Sequence, residues 1–211
     1  DRLFAPTETA MRNLRQEGVG EDHLSLVGDV MLDASLFYRD QAQPPAWFDD
    51  LGLATEEFVL ATLHRAENTD DPVRLAAILQ GLASCGSPVV LPLHPRTRAR
   101  IDEFGLYVPR SLHTVSPVGY LEMIWLESRC RCVATDSGGV QKEAYFFGKP
   151  CVTMRDETEW VELVEAGWNR IVGTDSNRIA QAIAQSVPGG ANLNLYGHGD
   201  AALHVLNALA T

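Results

Sequence analysis

The sequence predicts an α/β protein with a doubly wound parallel sheet, a Rossmann-like fold, and two observations lead to that prediction. From about residue 55 onward, short apolar runs alternate strictly with segments of helical apolar period. A polar cluster follows directly after most of these runs, as happens at the ligand-binding edge of open parallel sheets. Parallel neighbours need crossover connections, and right-handed crossovers place helices on both faces of the sheet.

The individual elements follow from these patterns in chain order. The first 55 residues are less regular, with a helix expected over 7–17, capped by Thr7 and ended by Gly18, and a short strand at 24–27. The strands of the main sheet are predicted at 58–62, 89–93, 113–116, 132–135, 151–154 and 170–172. The helices between them are predicted at 72–84, 96–104, 119–128, 138–147, 161–166 and 177–186. A Gly/Asn-rich stretch at 189–199 then precedes a last helical pattern at 201–210.

Composition narrows the class of protein. The 211 residues, 45% hydrophobic and 21% charged, are typical of a soluble globular protein with a sizeable core. A formal net charge of −11 argues against nucleic acid or an anionic membrane as a partner, although it permits a small basic pocket. No apolar run approaches the roughly 20 residues of a membrane span. The chain opens on Asp1 rather than methionine, which indicates a fragment of a longer protein.

The four cysteines show no paired spacing of the kind that binds zinc. Buried, reduced thiols in a cytoplasmic protein are therefore expected, with no metal site and no cofactor.

The most informative stretch runs from Asp136 through Ser137, Gly138 and Gly139 to Glu143. It lies between an apolar strand and a helical segment. A hydroxyl and two glycines at such a turn favour a phosphate, because the N–H groups of the first helical turn and the helix dipole attract anions. A serine cap with glycines used for close packing is an equally good interpretation of the turn alone.

Other polar clusters follow the strands at 64–68, 94–97, 116–120 and 155–160. Because the carboxyl ends of parallel strands share one edge, these clusters should converge with the turn at 136–139. His64, with its polar neighbours, is interpreted as a ligand-binding or active-site histidine. Arg65 contacts an anion or pairs with Glu67, and these alternatives stay open. The absence of a Walker loop, of a dinucleotide fingerprint and of a Ser-His-Asp elbow favours a nucleotide-diphosphate sugar over ATP or NAD.

Several motifs resemble the non-hydrolysing UDP-N-acetylglucosamine 2-epimerases, in family order and at matching intervals along essentially the whole chain. They are Thr-Leu-His-Arg-Ala-Glu-Asn at 62–68, Pro-Leu-His-Pro at 92–95, Thr-Asp-Ser-Gly-Gly-Val-Gln-Lys-Glu-Ala at 135–144, Gly-Lys-Pro at 148–150, Met-Arg-Asp-Glu-Thr-Glu at 154–159 and Glu-Ala-Gly-Trp-Asn at 165–169. The resemblance implies the glycosyltransferase-B arrangement, in which UDP lies between two Rossmann-like domains. Residues 1–25 would then end the first domain, 26–188 would form the carboxyl-terminal UDP-binding domain, and 189–211 would be a tail helix packing towards the missing domain.

The resemblance also implies a reaction, inversion at C2 of the sugar of a UDP-N-acetylhexosamine. The C2 proton is removed, UDP is eliminated, and both are added back on the other face. The implied roles are the active-site histidine for His64, the diphosphate contacts for Ser137, Gly138 and Gly139, the ribose contact for Glu143, and the uracil contacts for Val118 and Met123. The family's proton-transfer carboxylates belong to the amino-terminal domain, so the chain alone is expected to be inactive.

One residue departs from the pattern of the enzymes that act on plain UDP-N-acetylglucosamine. Trp160 stands where those enzymes usually have an arginine. The Glu-Trp-Val form at 159–161 is similar to the branch acting on UDP-2,3-diacetamido-2,3-dideoxyglucuronate. An indole in place of a guanidinium removes hydrogen-bond donors and adds an apolar face, so the sugar contacts must change. A purely structural role for Trp160 stays open. For the whole protein, association into a homodimer stays open, and so do two other functions, a glycosyltransferase of the same architecture and a stand-alone UDP-binding module.

Overall fold

A computed structural model of the protein describes residues 1–190 and 194–210. Residues 191–193 of the Gly/Asn-rich stretch lie outside the described residues. The chain forms two compact units, one made of residues 1–41 and 191–211 and the other of residues 42–190. These limits differ from the predicted division at 25/26 and 188/189, and the assignment of residues 1–25 to a preceding domain stays a prediction. Within the described residues, no helix is long and apolar enough to cross a membrane.

The larger unit is built on a six-stranded parallel sheet, which confirms the predicted fold class. Its strands are β3 (Val59–Thr62), β4 (Val89–Pro92), β5 (Leu112–Val115), β6 (Cys132–Thr135), β7 (Cys151–Thr153) and β8 (Asn169–Ile171). Their spatial order is β5-β4-β3-β6-β7-β8. Each predicted strand is present within one or two residues of its expected position, because short apolar runs bounded by polar residues define strands buried on both faces.

Helices connect the strands and cover both faces of the sheet. They are α3 (Ala66–Thr69), α4 (Pro72–Ala83), α5 (Pro95–Glu103), α6 (Tyr120–Arg129), α7 (Gly138–Phe146), α8 (Val161–Glu165) and α9 (Ser176–Ala184). Alternate strand residues point to opposite faces, so Val59 and Ala61 pack in one apolar cluster with α4 and α9. Leu60 packs in the other, which includes residues of α6 and α7. Both faces of the sheet are therefore buried, and a ligand can reach it only at the ends of its strands.

The smaller unit contains strands β1 (Leu3–Ala5) and β2 (Leu24–Leu26), which pair in parallel, and helices α1 (Glu8–Gln16), α2 (Val30–Arg39) and α10 (Ala201–Ala210). Its core includes Ala5, Met11 and Leu24. The carboxylate of Asp33 on α2 accepts hydrogen bonds from the first two N–H groups of α10, at 3.1 and 2.8 Å. The last helix is thus capped by a side chain of this unit. Strand β1 and helices α2 and α3 are elements that the sequence patterns did not predict.

Candidate functional site

The order of the strands places a topological switch point between β3 and β6. The chain runs outward from β3 to β5 and then returns to β6 on the other side of β3. Open parallel sheets bind ligands outside the carboxyl ends of the strands at such a point. Here the hydroxyls of Thr62 and Thr135, paired across the two strands, lie 2.5 Å apart, and Thr135 Oγ1 also accepts from the N–H of Ser137 at 2.9 Å.

A buried carboxylate fixes the loop that carries His64. Asp136 is fully buried and accepts from the backbone N–H groups of His64 at 3.2 Å and of Arg65 at 3.0 Å. It also accepts from Asn68 Nδ2 at 3.2 Å, and this nitrogen donates to the carbonyl of Met154 at 2.9 Å. The loops after β3, β6 and β7 are thereby held together by a single carboxyl and amide pair. Both residues belong to motifs singled out in the sequence, but no role was predicted for either.

Ser137 caps helix α7, as the structural interpretation of the turn predicted. Its backbone is extended, with φ −86° and ψ 129°, and its Oγ accepts from the N–H of Val140 at 3.5 Å. Gly138 and Gly139 are the first two residues of the helix. This geometry is that of a capped helix start, and it is also the geometry that favours an anion, so the diphosphate role of these three residues stays a prediction.

Glu143 lies further along α7 and is only 8% exposed. Burial raises the pKa of its carboxyl, and the charge of neighbouring Lys142 partly offsets that effect. Glu127, on the neighbouring helix α6, is fully buried and neither of its carboxyl oxygens has a hydrogen-bond partner among the described residues. Burial raises its pKa well above the ordinary value, and the charge of Glu143 adds to the effect.

A mainly apolar pocket of about 190 Å³ opens beside the turn. Its lining residues are Thr62, Leu63, His64, Pro92, His94, Pro117, Val118, Met123 and Val140. The pocket therefore brings His64 together with Val118 and Met123, the two residues that the resemblance assigned to uracil. The His64 ring is 45% exposed, and its Nδ1 lies 3.7 Å from Asp136 Oδ1, too far for a hydrogen bond.

Two arginines and two glutamates form a charge network next to the turn. Arg155 donates from Nε to Glu67 at 3.2 Å and from Nη1 to Glu159 at 2.7 Å. Arg65 forms an ion pair with Glu159 at 3.6 Å. Of the alternatives left open for Arg65, pairing with Glu67 is not the one that the structure displays. Arg155 and Glu159 were not predicted as site residues, although both lie in the polar cluster that follows β7.

Trp160 belongs to the same region. Its indole Nε1 donates to the carbonyl of Gly138 at 2.8 Å, and Lys142 Nζ lies 4.4 Å from the centre of the indole ring, a cation–π contact. The side-chain amide of Gln141 on α7 holds the loop before Trp160. Its Oε1 accepts hydrogen bonds from Thr158 Oγ1 at 2.6 Å and from Asn169 Nδ2 at 2.9 Å. The loop after β7 is thus tied to the first turns of α7.

The nine predicted site residues therefore lie around the switch point, on the loop after β3, at the start of α6, on α7 and on the loop after β7. Within the part of the chain that the structure describes, no group of three or more His, Cys, Asp or Glu side chains is arranged to hold a metal ion. A parallel sheet with a topological switch point and a capped, glycine-containing helix start beside it defines a doubly wound α/β protein.

Comparison with known proteins identifies the family. The family model described as UDP-N-acetylglucosamine 2-epimerase matches residues 1–210, and the chain belongs to that family. A UDP-2,3-diacetamido-2,3-dideoxy-D-glucuronate 2-epimerase of Pseudomonas aeruginosa is 50% identical over 100% of this chain and 60% of its own length. A UDP-N-acetylglucosamine 2-epimerase homolog of Methanococcus maripaludis is 40% identical over 98% of this chain and 60% of its own length.

Solved structures agree with this membership. The Methanocaldococcus jannaschii UDP-GlcNAc 2-epimerase, crystallised with UDP-GlcNAc and UDP, has a TM-score of 0.86 and 33% identity, covering 99% of this chain and 60% of that one. The Neisseria meningitidis UDP-GlcNAc 2-epimerase bound to UDP-GlcNAc has a TM-score of 0.80 and 27% identity, covering 98% and 60%. The chain thus spans about 60% of the length of the relatives that it matches.

Proposed function

We propose that the chain is the UDP-binding part of a UDP-sugar 2-epimerase that inverts C2 of an N-acetylated hexosamine or hexuronate. The observation that carries the proposal is the capped start of α7 at the switch point of the sheet, in a chain that belongs to the epimerase family. The reaction removes the C2 proton, breaks the bond between C1 and the UDP oxygen, and then adds the proton and UDP back with C2 inverted.

The ligand would lie along α7. The diphosphate takes the Ser137–Gly139 turn, the ribose hydroxyls bond Glu143, and uracil fits the pocket formed with Val118 and Met123. A volume of about 190 Å³ suits one ring, since sites for whole small molecules have roughly 300–1,000 Å³. His64 lies at the mouth of this pocket, next to the leaving group, and Arg65 supplies positive charge.

The sugar is proposed to be a 2,3-diacetamido-2,3-dideoxyglucuronate. The Pseudomonas relative with 50% identity acts on that UDP-sugar according to its name, and Trp160 is bonded to the turn itself. We place the protein in the cytoplasm. Thiols stay reduced there, which fits the four free cysteines, and the UDP-sugar substrate class fits the same compartment.

Two substitutions test the proposal in the protein extended to the length of its relatives. Ser137→Ala removes the cap hydroxyl and Glu143→Ala removes the ribose acceptor, so each should raise KM for the UDP-sugar at least several-fold. Glu165→Ala, an exposed glutamate on α8, is the matched control and should leave KM unchanged. Unchanged kinetics in both site variants would remove the assignment of the turn.

The same protein distinguishes an epimerase from a glycosyltransferase. An epimerase should exchange the C2 proton of the UDP-sugar with deuterated water when no acceptor is present. A requirement for an acceptor molecule would contradict the proposed reaction while leaving UDP binding in place.

A further inference from the structure

A carboxylate of the protein itself already lies beside the anion-favouring turn. A side chain on Gly138 would collide with Glu159 Oε1, so the carboxylate lies in space that only a glycine leaves open. The neighbouring Trp160 is bonded through its indole N–H to the carbonyl of Gly138, which holds this part of the loop against the first turn of α7. The loop that carries Glu159 is therefore held beside the turn, whereas its carboxyl group is the end of a flexible side chain and can move.

The two oxygens of Glu159 face different arginines. Oε2 accepts from Arg155 at 2.7 Å, whereas Oε1, the oxygen beside Gly138, lies 3.6 Å from Arg65. Arg155 is also held by Glu67, and its side chain is only 8% exposed. The side chains of Arg65 and Glu159 are 37% and 43% exposed. The contact of Arg155 is thus the fixed one, and the contact of Arg65 is long and open to solvent.

Glu159 keeps its charge in this position. Burial acts to raise the pKa of its carboxyl, but the hydrogen bonds from its own backbone N–H and from Arg155, together with the charges of Arg155 and Arg65, outweigh burial, and the pKa is lowered. A negative charge therefore stands at the turn at neutral pH. A diphosphate that approaches the same turn carries like charge and must either repel this carboxylate or replace it.

We infer that the carboxylate of Glu159 and a nucleotide phosphate compete for the same place beside the Ser137–Gly139 turn. Its Oε1 lies beside Gly138, where we place a phosphoryl oxygen of the bound nucleotide. When the nucleotide binds, Arg65 exchanges Glu159 for the phosphate, while Glu159 turns away from Gly138 and keeps its bond to Arg155. This inference rests on the proposed function, because it requires a nucleotide diphosphate at the Ser137–Gly139 turn.

The exchange predicts that neutralising the charge of Glu159 strengthens UDP binding, although the residue lies in the binding site. Glu159→Gln should tighten UDP binding about fivefold, the factor that corresponds to one like-charge contact near 4 Å in water. Uridine, which has no phosphate, should bind the variant as it binds the wild type. The measurement is a titration of the ¹⁵N-labelled 211-residue chain with UDP and with uridine, followed by amide shifts, which also report that each variant is folded.

Matched variants isolate the effect. Glu67→Gln removes the other carboxylate on Arg155, which does not lie beside Gly138, and should not tighten UDP binding. Arg65→Met added to Glu159→Gln should remove the gain, because the released arginine is its source. Glu159→Asp, which keeps the charge but withdraws it from Gly138, should tighten binding in the same direction and serves if the glutamine variant fails to fold.

The outcomes separate the inference from the function. Weaker UDP binding in Glu159→Gln, or an equal change for uridine, overturns the inference and makes Glu159 a positioning residue for the arginines. UDP binding that depends on Ser137 but not on Glu159 also overturns it, yet leaves the proposed function intact. Failure of UDP to bind the wild-type chain at millimolar concentration, or binding indifferent to Ser137→Ala, contradicts both.

Discussion

At the residue scale, the site depends on buried polar groups that serve the loops rather than the ligand. Asp136 is the clearest case, because one carboxylate accepts from two backbone N–H groups and one side-chain amide on the opposite loop. Burying an ionised group is costly unless hydrogen bonds satisfy it. The backbone position of the His64 loop therefore depends on one buried, hydrogen-bonded carboxylate, that of Asp136.

Asp136→Asn should destabilise the protein although it preserves shape. The amide NH₂ would face N–H donors that need an acceptor, and leaving buried donors unsatisfied costs about 1–3 kcal/mol. Urea unfolding at neutral pH should show a lower midpoint with an unchanged slope. The control is Asp156→Asn, whose carboxylate is 70% exposed and pairs with Arg74, with an expected change of at most about 1 kcal/mol. Equal losses in both variants would show that the buried bonds are not special.

Glu127 leads to a prediction about pH. Its folded-state pKa is raised above the unfolded value by burial and by the charge of Glu143. The folded protein therefore binds the proton more tightly, so the contribution of Glu127 to stability is least unfavourable below the unfolded pKa of about 4.3 and worsens as pH rises towards the folded pKa.

Glu127→Gln should consequently raise the free energy of unfolding at pH 8 and change it little at pH 4. Each pH unit between the two pKa values corresponds to about 1.4 kcal/mol. Chemical unfolding of wild type and variant at both pH values measures the difference, with Glu165→Gln as an exposed control. A gain that is the same at pH 4 and pH 8 would show that the effect comes from packing rather than ionisation.

At the element scale, close helix packing outweighs helix propensity at one position. Gly81 on α4 faces α9, and a Cβ there would lie 2.9 Å from the Cβ of Ile179 and from the carbonyl oxygen of Ser176. Alanine is a better helix former than glycine by about 1 kcal/mol, yet backbone atoms of α9 cannot move aside cheaply.

Gly81→Ala should therefore lower stability by about 1–3 kcal/mol, opposite in sign to its propensity. Thermal and urea unfolding provide the measurement. Gln80→Ala, at the neighbouring exposed position of the same helix, should stay within about 0.5 kcal/mol of wild type. A stabilised Gly81→Ala would mean that α4 and α9 can separate at this contact.

The main elements could be predicted from the sequence because the signal for each is local. Strand β6 was expected at 132–135 and lies at Cys132–Thr135, since its apolar residues are bounded by polar ones. Helix α2 was missed because its apolar residues lie on more than one side, with Leu32 buried but Val30 and Phe37 exposed. Helix α3, with only four residues, is too short to display a period.

The candidate site was predictable only in part for the same reason. The convergence of polar clusters follows from strand polarity, which the alternating pattern predicts. The pairing of side chains within the site does not follow from strand polarity. Arg65 contacts Glu159, 94 positions further along the sequence, because two loops pack together. Asp136 stands in the Thr-Asp-Ser-Gly-Gly motif, but its role depends on backbone N–H groups that no residue pattern reveals.

At the scale of the whole molecule, the distribution of charge indicates which step this chain serves, binding of the ligand or transfer of the proton. The chain carries a net charge of −11, yet three of the carboxylates around the turn are engaged with protein groups. Asp136 accepts from the loop after β3, while Glu67 and Glu159 accept from Arg155. Moving the C2 proton needs a placed base and a placed acid within hydrogen-bond reach of the sugar. We therefore expect these residues to bind the leaving group, and the residues that move the proton to lie in the part of the relatives' length that this chain does not span.

The 211-residue chain should accordingly bind UDP without catalysing exchange at C2. The measurement is the proton NMR signal of C2 in a UDP-sugar dissolved in deuterated water, which should persist with this chain and disappear with a protein of the relatives' full length. The full-length Pseudomonas relative serves as the positive control, tested on its own named substrate. Exchange by the chain alone at a comparable rate would mean that one of the paired carboxylates is released on binding, with Glu159 the first to test because the inferred exchange frees it from Arg65.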